Sequence, residues 1–247
     1  MHAKPNNNEN NVIRLTAHKL RSLHKHLPSS CILCTDTTPF RQLLCQACEE
    51  DLPRLLHGCQ RCGEPIAVQD EVCGQCLHSP PALDQVVVLF HYRDPLQHLI
   101  QKLKFRQSLA IATWAGNQIV QQIGIDSDEL PGLIIPVPLH PTRTRFRGFN
   151  QSLEIAKTVA RQLRLPIDTH RCRRQHHTQP QSELAREQRL SNLKDAFIID
   201  KPIRQAHAVL IDDVMTTGST LNELARCLKQ QGVKRVDAWV VARATRT

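Results

Sequence analysis

Two adjacent carboxylates, Asp212 and Asp213, are followed by a run of hydroxyls around one glycine, Met215-Thr216-Thr217-Gly218-Ser219-Thr220. Those residue types in that order suit a phosphorylated sugar. Val209 to Ile211, just before them, is an apolar run that reads as a buried parallel strand. Leu221 to Gln231, just after, reads as an amphipathic helix closed by Gly232. Amides of the intervening loop and of the helix's first turn lack intrahelical acceptors, so they point outward as donors. Gly218 lets the backbone approach an anion closely, and the Thr and Ser hydroxyls add donors. Asp212 and Asp213, placed where the strand is expected to end, would repel a phosphate and must face something else. Ribose hydroxyls or a ligand-bound cation suit them, so the stretch asks for a ribose 5-phosphate.

Eight of the ten cysteines make a second constellation: Cys31-x-x-Cys34, Cys45-x-x-Cys48, Cys59-x-x-Cys62 and Cys73-x-x-Cys76. Adding 28 to each of the first four positions gives the second four, an internal tandem repeat. A two-residue gap lets both thiolates of a pair reach one ion, and two pairs complete a tetrahedral four-cysteine site. Zinc is the expected ion, with an iron–sulfur site as the alternative for the same thiolates. Four cysteines leave no open position, so the role is structural, and a segment this short and polar needs its metal to fold. Consecutive pairing gives Cys31/Cys34/Cys45/Cys48 and Cys59/Cys62/Cys73/Cys76; a crossed pairing of alternate knuckles is the other arrangement. A disulfide framework is disfavoured because nothing suggests export. Cys172 and Cys227 stand alone, and Cys227 falls on the inner side of the last helix.

A chain of 247 residues has room for one or two domains and a sizeable core. Its net charge of +9 fits polyanionic partners, nucleic acid or phosphorylated metabolites. Aromatics at 4% do not spell an extended base-stacking platform. No apolar run approaches the roughly 18 residues of a membrane span, and Met1 to Asn11 is polar with no apolar signal core. A cytoplasmic protein is therefore expected, with residues 1–28 forming a disordered tail and a basic amphipathic helix over Val12 to Leu27.

The elements that must position these groups follow from periodicity. Residues 29–78 hold the ribbons, and Ser79-Pro80-Pro81 reads as a stiff hinge into an α/β domain over 83–247. Strands are expected over Gln85 to Tyr92, Leu133 to Leu139 and Val236 to Val241, besides Val209 to Ile211. Helices are expected over Pro95 to Phe105, Ile111 to Ile123 and Gln151 to Leu163. Lys102, Lys104, Phe105 and Arg106 form a basic–aromatic cluster, suited to a phosphate or base or simply a solvated helix end. Pro136 and Pro138 cannot donate to a ladder, so the chain should leave the sheet there with free carbonyl and amide groups. Arg143, Arg145 and Arg147 before Gly148 make a second anion site, since arginine forks suit phosphate oxygens. Thr169 to Asn192 is too polar for core and too long for a simple turn. The order of elements argues a parallel sheet with ligands at the carboxyl ends of its strands.

The 209–221 stretch resembles the phosphoribosyl diphosphate (PRPP) motif of type I phosphoribosyltransferases. It has two apolar residues, one more residue, Asp-Asp, two residues, then Thr-Thr-Gly-x-Thr. Together with Arg147-Gly148-Phe149-Asn150-Gln151-Ser152 and the cysteine knuckles, it is similar to the ComF family of competence-related proteins, which includes proteins linked to use of external DNA as a nutrient. The resemblance covers nearly the whole chain from about Cys31. It implies a type I phosphoribosyltransferase-like domain behind a double zinc ribbon. Implied PRPP contacts are Val137, Pro138 and Leu139 with Arg143 and Arg147 at the diphosphate, and Met215 to Thr220 at the 5-phosphate. Asp212 and Asp213 are implied as catalytic residues at the ribose hydroxyls, directly or through Mg²⁺. A loop closing over PRPP is implied over 169–192, with Arg174, Gln181, Arg189 and Asn192 matching the family's Arg…Gln…Arg-x-x-Asn pattern. The reading is a Mg-dependent PRPP-binding protein acting in DNA uptake or use, with phosphoribosyl transfer to an acceptor the sequence does not name. The alternative is a non-catalytic module that binds single-stranded DNA or docks a helicase-like partner.

Overall fold

The computed structural model describes residues 29–68, 71–124, 130–139, 142, 148–174 and 196–245. The expected helix at Val12 to Leu27 lies outside them. By packing, the chain divides into two compact units, one up to Asp51 and one from Leu52 onward. The first contains strands β1 (Ser29–Ser30) and β2 (Thr37–Thr38), paired antiparallel, and the short helix α1 (Gln46–Glu50).

The second unit begins with the second cysteine repeat and its helix α2 (Gly74–His78). It continues with β3 (Gln85–His91), α3 (Leu96–Arg106), α4 (Leu109–Ile123), β4 (Leu133–Pro136) and α5 (Gln151–Leu163). After these come β5 (Cys172–Arg174), β6 (Phe197–Ile199), β7 (His207–Met215), α6 (Ser219–Gln230) and β8 (Arg235–Arg243). Four strands form one parallel sheet in the order β3-β8-β7-β4, and β5 pairs antiparallel with β6. With helices covering both faces, the central strands are apolar almost throughout. Ala208 and Leu210 share a core cluster with Leu224 and Leu228 of α6. Val209 and Ile211 alternate to the other face, where α5 packs on β7 and α4 on α5. Gly116 permits that helix contact, because a Cβ there would meet the Cβ of Thr158 at 2.6 Å.

Within the α/β domain the expected strands and helices are present, with β4 ending at Pro136 rather than Leu139 and one more informative shift. β7 does not stop before the carboxylates but runs on to Met215. The neighbouring strand supplies the reason: β8 extends the ladder by pairing Asp212 with Val240, Val214 with Ala242 and Met215 with Arg243. Within the 169–192 stretch, residues 172–174 form a strand. Buried Cys172 anchors β5 between arginines, and its partner β6 lies beyond residues 175–195. The remainder of that stretch lies outside the described residues. No helix among the described residues is long and apolar enough to cross a membrane.

Candidate functional site

At the carboxyl end of β7, the two carboxylates are held apart by different partners. Ser152 Oγ donates to Asp212 Oδ1 at 2.8 Å, and the Asp213 amide donates to the same oxygen at 3.0 Å. Burial first, and then the charge of Asp213, push the Asp212 carboxyl up to about 7, against the Ser152 and amide hydrogen bonds and Lys104. Asp213 is buried, and Lys104 Nζ from α3 lies 3.1 Å from its Oδ2. That contact is an ion pair without hydrogen-bond geometry, so Oδ2 keeps an unused acceptor. Lys104 also sits 6.0 Å from the centroid of the Tyr92 ring. The site thus contains one carboxyl near neutrality and one carboxylate neutralised by an internal cation.

Next to this pair, the 215–220 loop turns into α6. Gly218 is the helix N-cap, in the left-handed region at φ 76°, and makes no side-chain cap. A Cβ at Gly218 would collide with the Met215 side chain. Thr217 Oγ1 lies 2.8 Å from Ser219 Oγ and accepts from the Ser219 amide at 3.3 Å, while the Gly218 carbonyl starts the helix by accepting from Asn222. A twelve-residue helix begins here without a capping side chain, and amides at such a terminus are donors of the kind that suit an anion.

The helix on the other side of the site ends differently. Asn150 caps α5 by accepting from the amides of Ser152 and Leu153, and its Nδ2 donates to the Val137 carbonyl at 3.0 Å. The Val137 amide donates to Ile211. The backbone groups expected to be free at the sheet exit are therefore both used at Val137, and Asn150 locks the Val137–Leu139 turn against α5. Asn150 and Ser152 thus acquire distinct duties within the Asn-Gln-Ser run: one fixes a loop, the other supports Asp212. Arg143 and Arg147, with Arg145, lie outside the described residues, as do Gln181, Arg189 and Asn192. Arg174 lies on β5, with its guanidinium 5.7 Å from the centroid of Phe197.

The eight paired cysteines form two clusters, Cys31/Cys34/Cys45/Cys48 and Cys59/Cys62/Cys73/Cys76, with ligand atoms within 4.8 Å of one another in each. This is the consecutive arrangement. A tetrahedron with metal–sulfur bonds of about 2.3 Å has sulfurs about 3.8 Å apart; Cys34 and Cys45 stand at 3.6 Å and Cys62 and Cys73 at 3.7 Å. Burial pushes the Cys31 thiol up, but amides of Cys34, Cys45 and Leu33 outweigh it and bring the thiol down to about 6. Cys59 is likewise brought to about 7, against burial, by amides of Cys73, Arg61 and Cys62. Cys62 is pushed up to about 12, by burial foremost and also by neighbouring Cys59. Each cluster thus holds one thiol biased toward the thiolate among four sulfurs, a donor set a divalent cation would complete.

A cleft of about 580 Å³ lies away from the carboxylates. It is lined by Leu133, Asp168, Arg171, Lys201 and Gln205, at the amino ends of β4 and β7. The geometry of the carboxyl edge is set by side chains from distant segments. Lys104 was legible only as part of a basic cluster. Arg243 and Glu64, which meet beneath the 215–220 loop, carried no signal beyond a charge at the end of an apolar strand and an acid inside a knuckle.

Residues 23–77 match the double zinc ribbon domain family, and residues 150–247 match the phosphoribosyl transferase domain family. Competence protein F of Haemophilus influenzae is 33% identical over 214 residues, 81% of this chain and 90% of that protein. DNA utilization protein YhgH of Salmonella typhimurium is 32% identical over 222 residues, 88% of this chain and 98% of that one. Competence protein ComFC of Bacillus subtilis is 27% identical over 199 residues, 76% of this chain and 79% of the relative. A purine phosphoribosyltransferase from Pyrococcus horikoshii Ot3 aligns with a TM-score of 0.32 at 16% identity, over 56% of this chain and 84% of that one, too loosely to define the fold. The cysteine clusters fit structural zinc, the parallel sheet fits the matched transferase domain, and at this identity over this length the chain belongs to the ComF family.

Proposed function

We propose that the carboxyl edge of the sheet binds PRPP with Mg²⁺. The observation that carries this reading is the side-by-side placement of an acidic pair, Asp213 buried and Asp212 half-buried, and a helix N-terminus without a side-chain cap. Amides of Met215 to Thr220 would take the 5-phosphate, where no carboxylate is needed. Asp212 and Asp213 would accept from the ribose 2- and 3-hydroxyls, the second through the acceptor capacity its Oδ2 retains. The Val137–Leu139 turn, with Arg143 and Arg147, would face the diphosphate. Lys104 keeps the pair from carrying two bare charges before the ligand arrives. Mg²⁺, an oxygen-seeking ion, would neutralise diphosphate charge when bound and fits the Asp213 carboxylate.

In the transferase reading, an acceptor attacks C1 of the ribose as the C1–oxygen bond breaks, and its electron pair leaves on diphosphate. Positive charge that develops on the ring would be stabilised by the two carboxyl groups, provided Asp212 is ionised. Names of the relatives point the same protein toward competence and DNA utilisation. Calorimetric titration of the zinc-loaded protein with Mg-PRPP, beside Asp212→Asn/Asp213→Asn, tests the binding. Loss of binding in the folded double variant is expected; an unchanged affinity would remove PRPP from this loop.

A second reading is single-stranded DNA binding. Lys201 and Arg204 stand exposed beside Arg171 at the amino edge of the sheet, on a chain of net charge +9. DNA affinity that falls steeply with salt would support it, because each phosphate contact releases counterions. The two readings use opposite edges of one sheet.

A further inference from the structure

Arg243 ends β8 with a charged side chain that is only 7% exposed. Such a charge needs partners, and both Nη atoms find them while the buried Nε has no hydrogen bond. Nη1 donates to the Met215 carbonyl at 3.2 Å, and Nη2 donates to Glu64 Oε2 at 2.8 Å. Met215 is the last residue of β7 and the first of the 215–220 loop, and its carbonyl also accepts from the Ala244 amide at 2.9 Å. Two donors therefore converge on the one carbonyl from which the loop departs. At the other end, Glu64 belongs to the Cys59–Cys62 knuckle. Its carbonyl accepts from the Cys59 amide at 2.8 Å, and its own amide donates to the Cys62 sulfur. The knuckle fixes the Glu64 backbone, the Glu64 side chain orients Arg243, and Arg243 sets where the loop starts.

We propose that Arg243 is a positioning residue for the 215–220 loop and that Glu64 fixes it there, which makes the second cysteine repeat part of the ligand site. For its ligand this rests on the PRPP reading; the tie itself does not. Without Glu64, the guanidinium loses its charged partner and turns toward other acceptors, so the Met215 carbonyl keeps only the Ala244 amide. The loop amides then converge less well on a phosphate, while the Val137–Leu139 turn, held by Asn150 and Ile211, is untouched. The consequence is selective: the 5-phosphate end of the ligand suffers and the diphosphate end does not.

The experiment uses the full, zinc-loaded chain as wild type, Glu64→Ala, Glu64→Gln and Arg243→Lys. Asp36→Ala, at the equivalent position of the first repeat (36 + 28 = 64), is the control. Amide hydrogen exchange over 216–220 is read without ligand, and affinities are read for Mg-PRPP, ribose 5-phosphate and Mg-diphosphate. Glu64→Ala should speed exchange in the loop and weaken PRPP and ribose 5-phosphate about tenfold, the loss of one charge-assisted hydrogen bond, with Mg-diphosphate unchanged. Glu64→Gln keeps an acceptor and should restore most of the affinity, and Arg243→Lys, which cannot reach both partners, should mirror Glu64→Ala. Asp36→Ala should leave every reading at the wild-type value. Unchanged exchange in Glu64→Ala, or equal losses for ribose 5-phosphate and diphosphate, overturns the proposal. If wild type binds no PRPP, the ligand reading falls, and the exchange result still decides whether the tie orders the loop.

Discussion

The two cysteine repeats are built to one plan and put to different uses. In each, the first cysteine's amide donates across the knuckle, Cys31 to the Asp36 carbonyl at 2.7 Å and Cys59 to the Glu64 carbonyl at 2.8 Å. Residues Thr35 and Gly63, 28 apart, both take the left-handed conformation, at φ 69° and 65°. Cys45 and Cys73 each cap a five-residue helix. The side chains between the ligands then diverge. Asp36 accepts from the thiol of its own Cys34, whereas Glu64 reaches out to Arg243. Thr35 is exposed, whereas Gly63 is buried against Val86 and Val88 of β3. Val86 donates to Gln60 inside the repeat, and just before it Leu55 donates to Leu89 and His91 donates to Pro53, so the second repeat and the segment leading into it are stitched along β3 by backbone bonds. Ligand spacing specifies a metal site; the residues between ligands decide whether that site is a unit to itself or part of another domain's core.

The largest test of this difference removes one ligand from each repeat. Cys62→Ser is expected to cost the unit that runs from Leu52 at least about 3 kcal/mol, a fall in Tm of roughly 10 °C for a unit of this size. Cys34→Ser should leave that transition within about 1 °C while lowering bound zinc by one equivalent of two. Thermal melts with zinc analysis on the same samples would show it, and equal shifts for the two variants would break the comparison. A finer exchange swaps the knuckle residues. A Cβ at Gly63 would meet Val88 Cγ2 at 2.5 Å and Val86 Cγ1 at 3.3 Å. Gly63→Thr should therefore cost about 2–3 kcal/mol from overpacking and the left-handed backbone together. Thr35→Gly, where relief of the backbone offsets a looser unfolded chain, should stay within about 0.5 kcal/mol. Urea unfolding of both variants reads the asymmetry directly.

Sequence reached the parts of this architecture whose chemistry is local. The cysteine spacing, the Asp-Asp pair and the hydroxyl loop lie within short windows, and the helix over Gln151 to Leu163 is found with its expected ends. Apolar runs at 85–91 and 209–211 declared the sheet. What sequence missed was long-range. Ser152 meets Asp212 across 60 positions and Glu64 meets Arg243 across 179, and no periodicity records such pairings. The length of β7 depended on β8, which carried its ladder past the carboxylates. Likewise β5, three residues with two arginines, has no strand signature of its own and exists because β6 returns to pair with it. Gly63 and Thr35 look interchangeable in a repeat; only the valines of β3 make one of them obligatory.

A smaller effect, opposite in sign, comes from the ligand loop and separates what the second repeat stabilises from what the site costs. Burial and the neighbouring Asp213 charge raise the Asp212 carboxyl from the usual 3.8 to about 7. Between those values the folded protein binds more protons than the unfolded chain. The stability associated with Asp212 is thus fully present below pH 3.8 and is lost as pH rises through about 7. Asp212→Asn removes that loss. Unlike either cysteine variant, it should raise stability at pH 8, by about 1–2 kcal/mol given the solvent that reaches this half-buried group. The advantage should shrink as pH falls toward 5, where wild-type Asp212 is itself neutral. Urea unfolding of the ligand-free protein at several pH values gives the curve. An advantage that does not depend on pH would mean the aspartate is not strained by its surroundings. The carboxyl edge would then impose no cost for the second repeat to offset, and the stitching along β3 would have to be explained by the metal site alone.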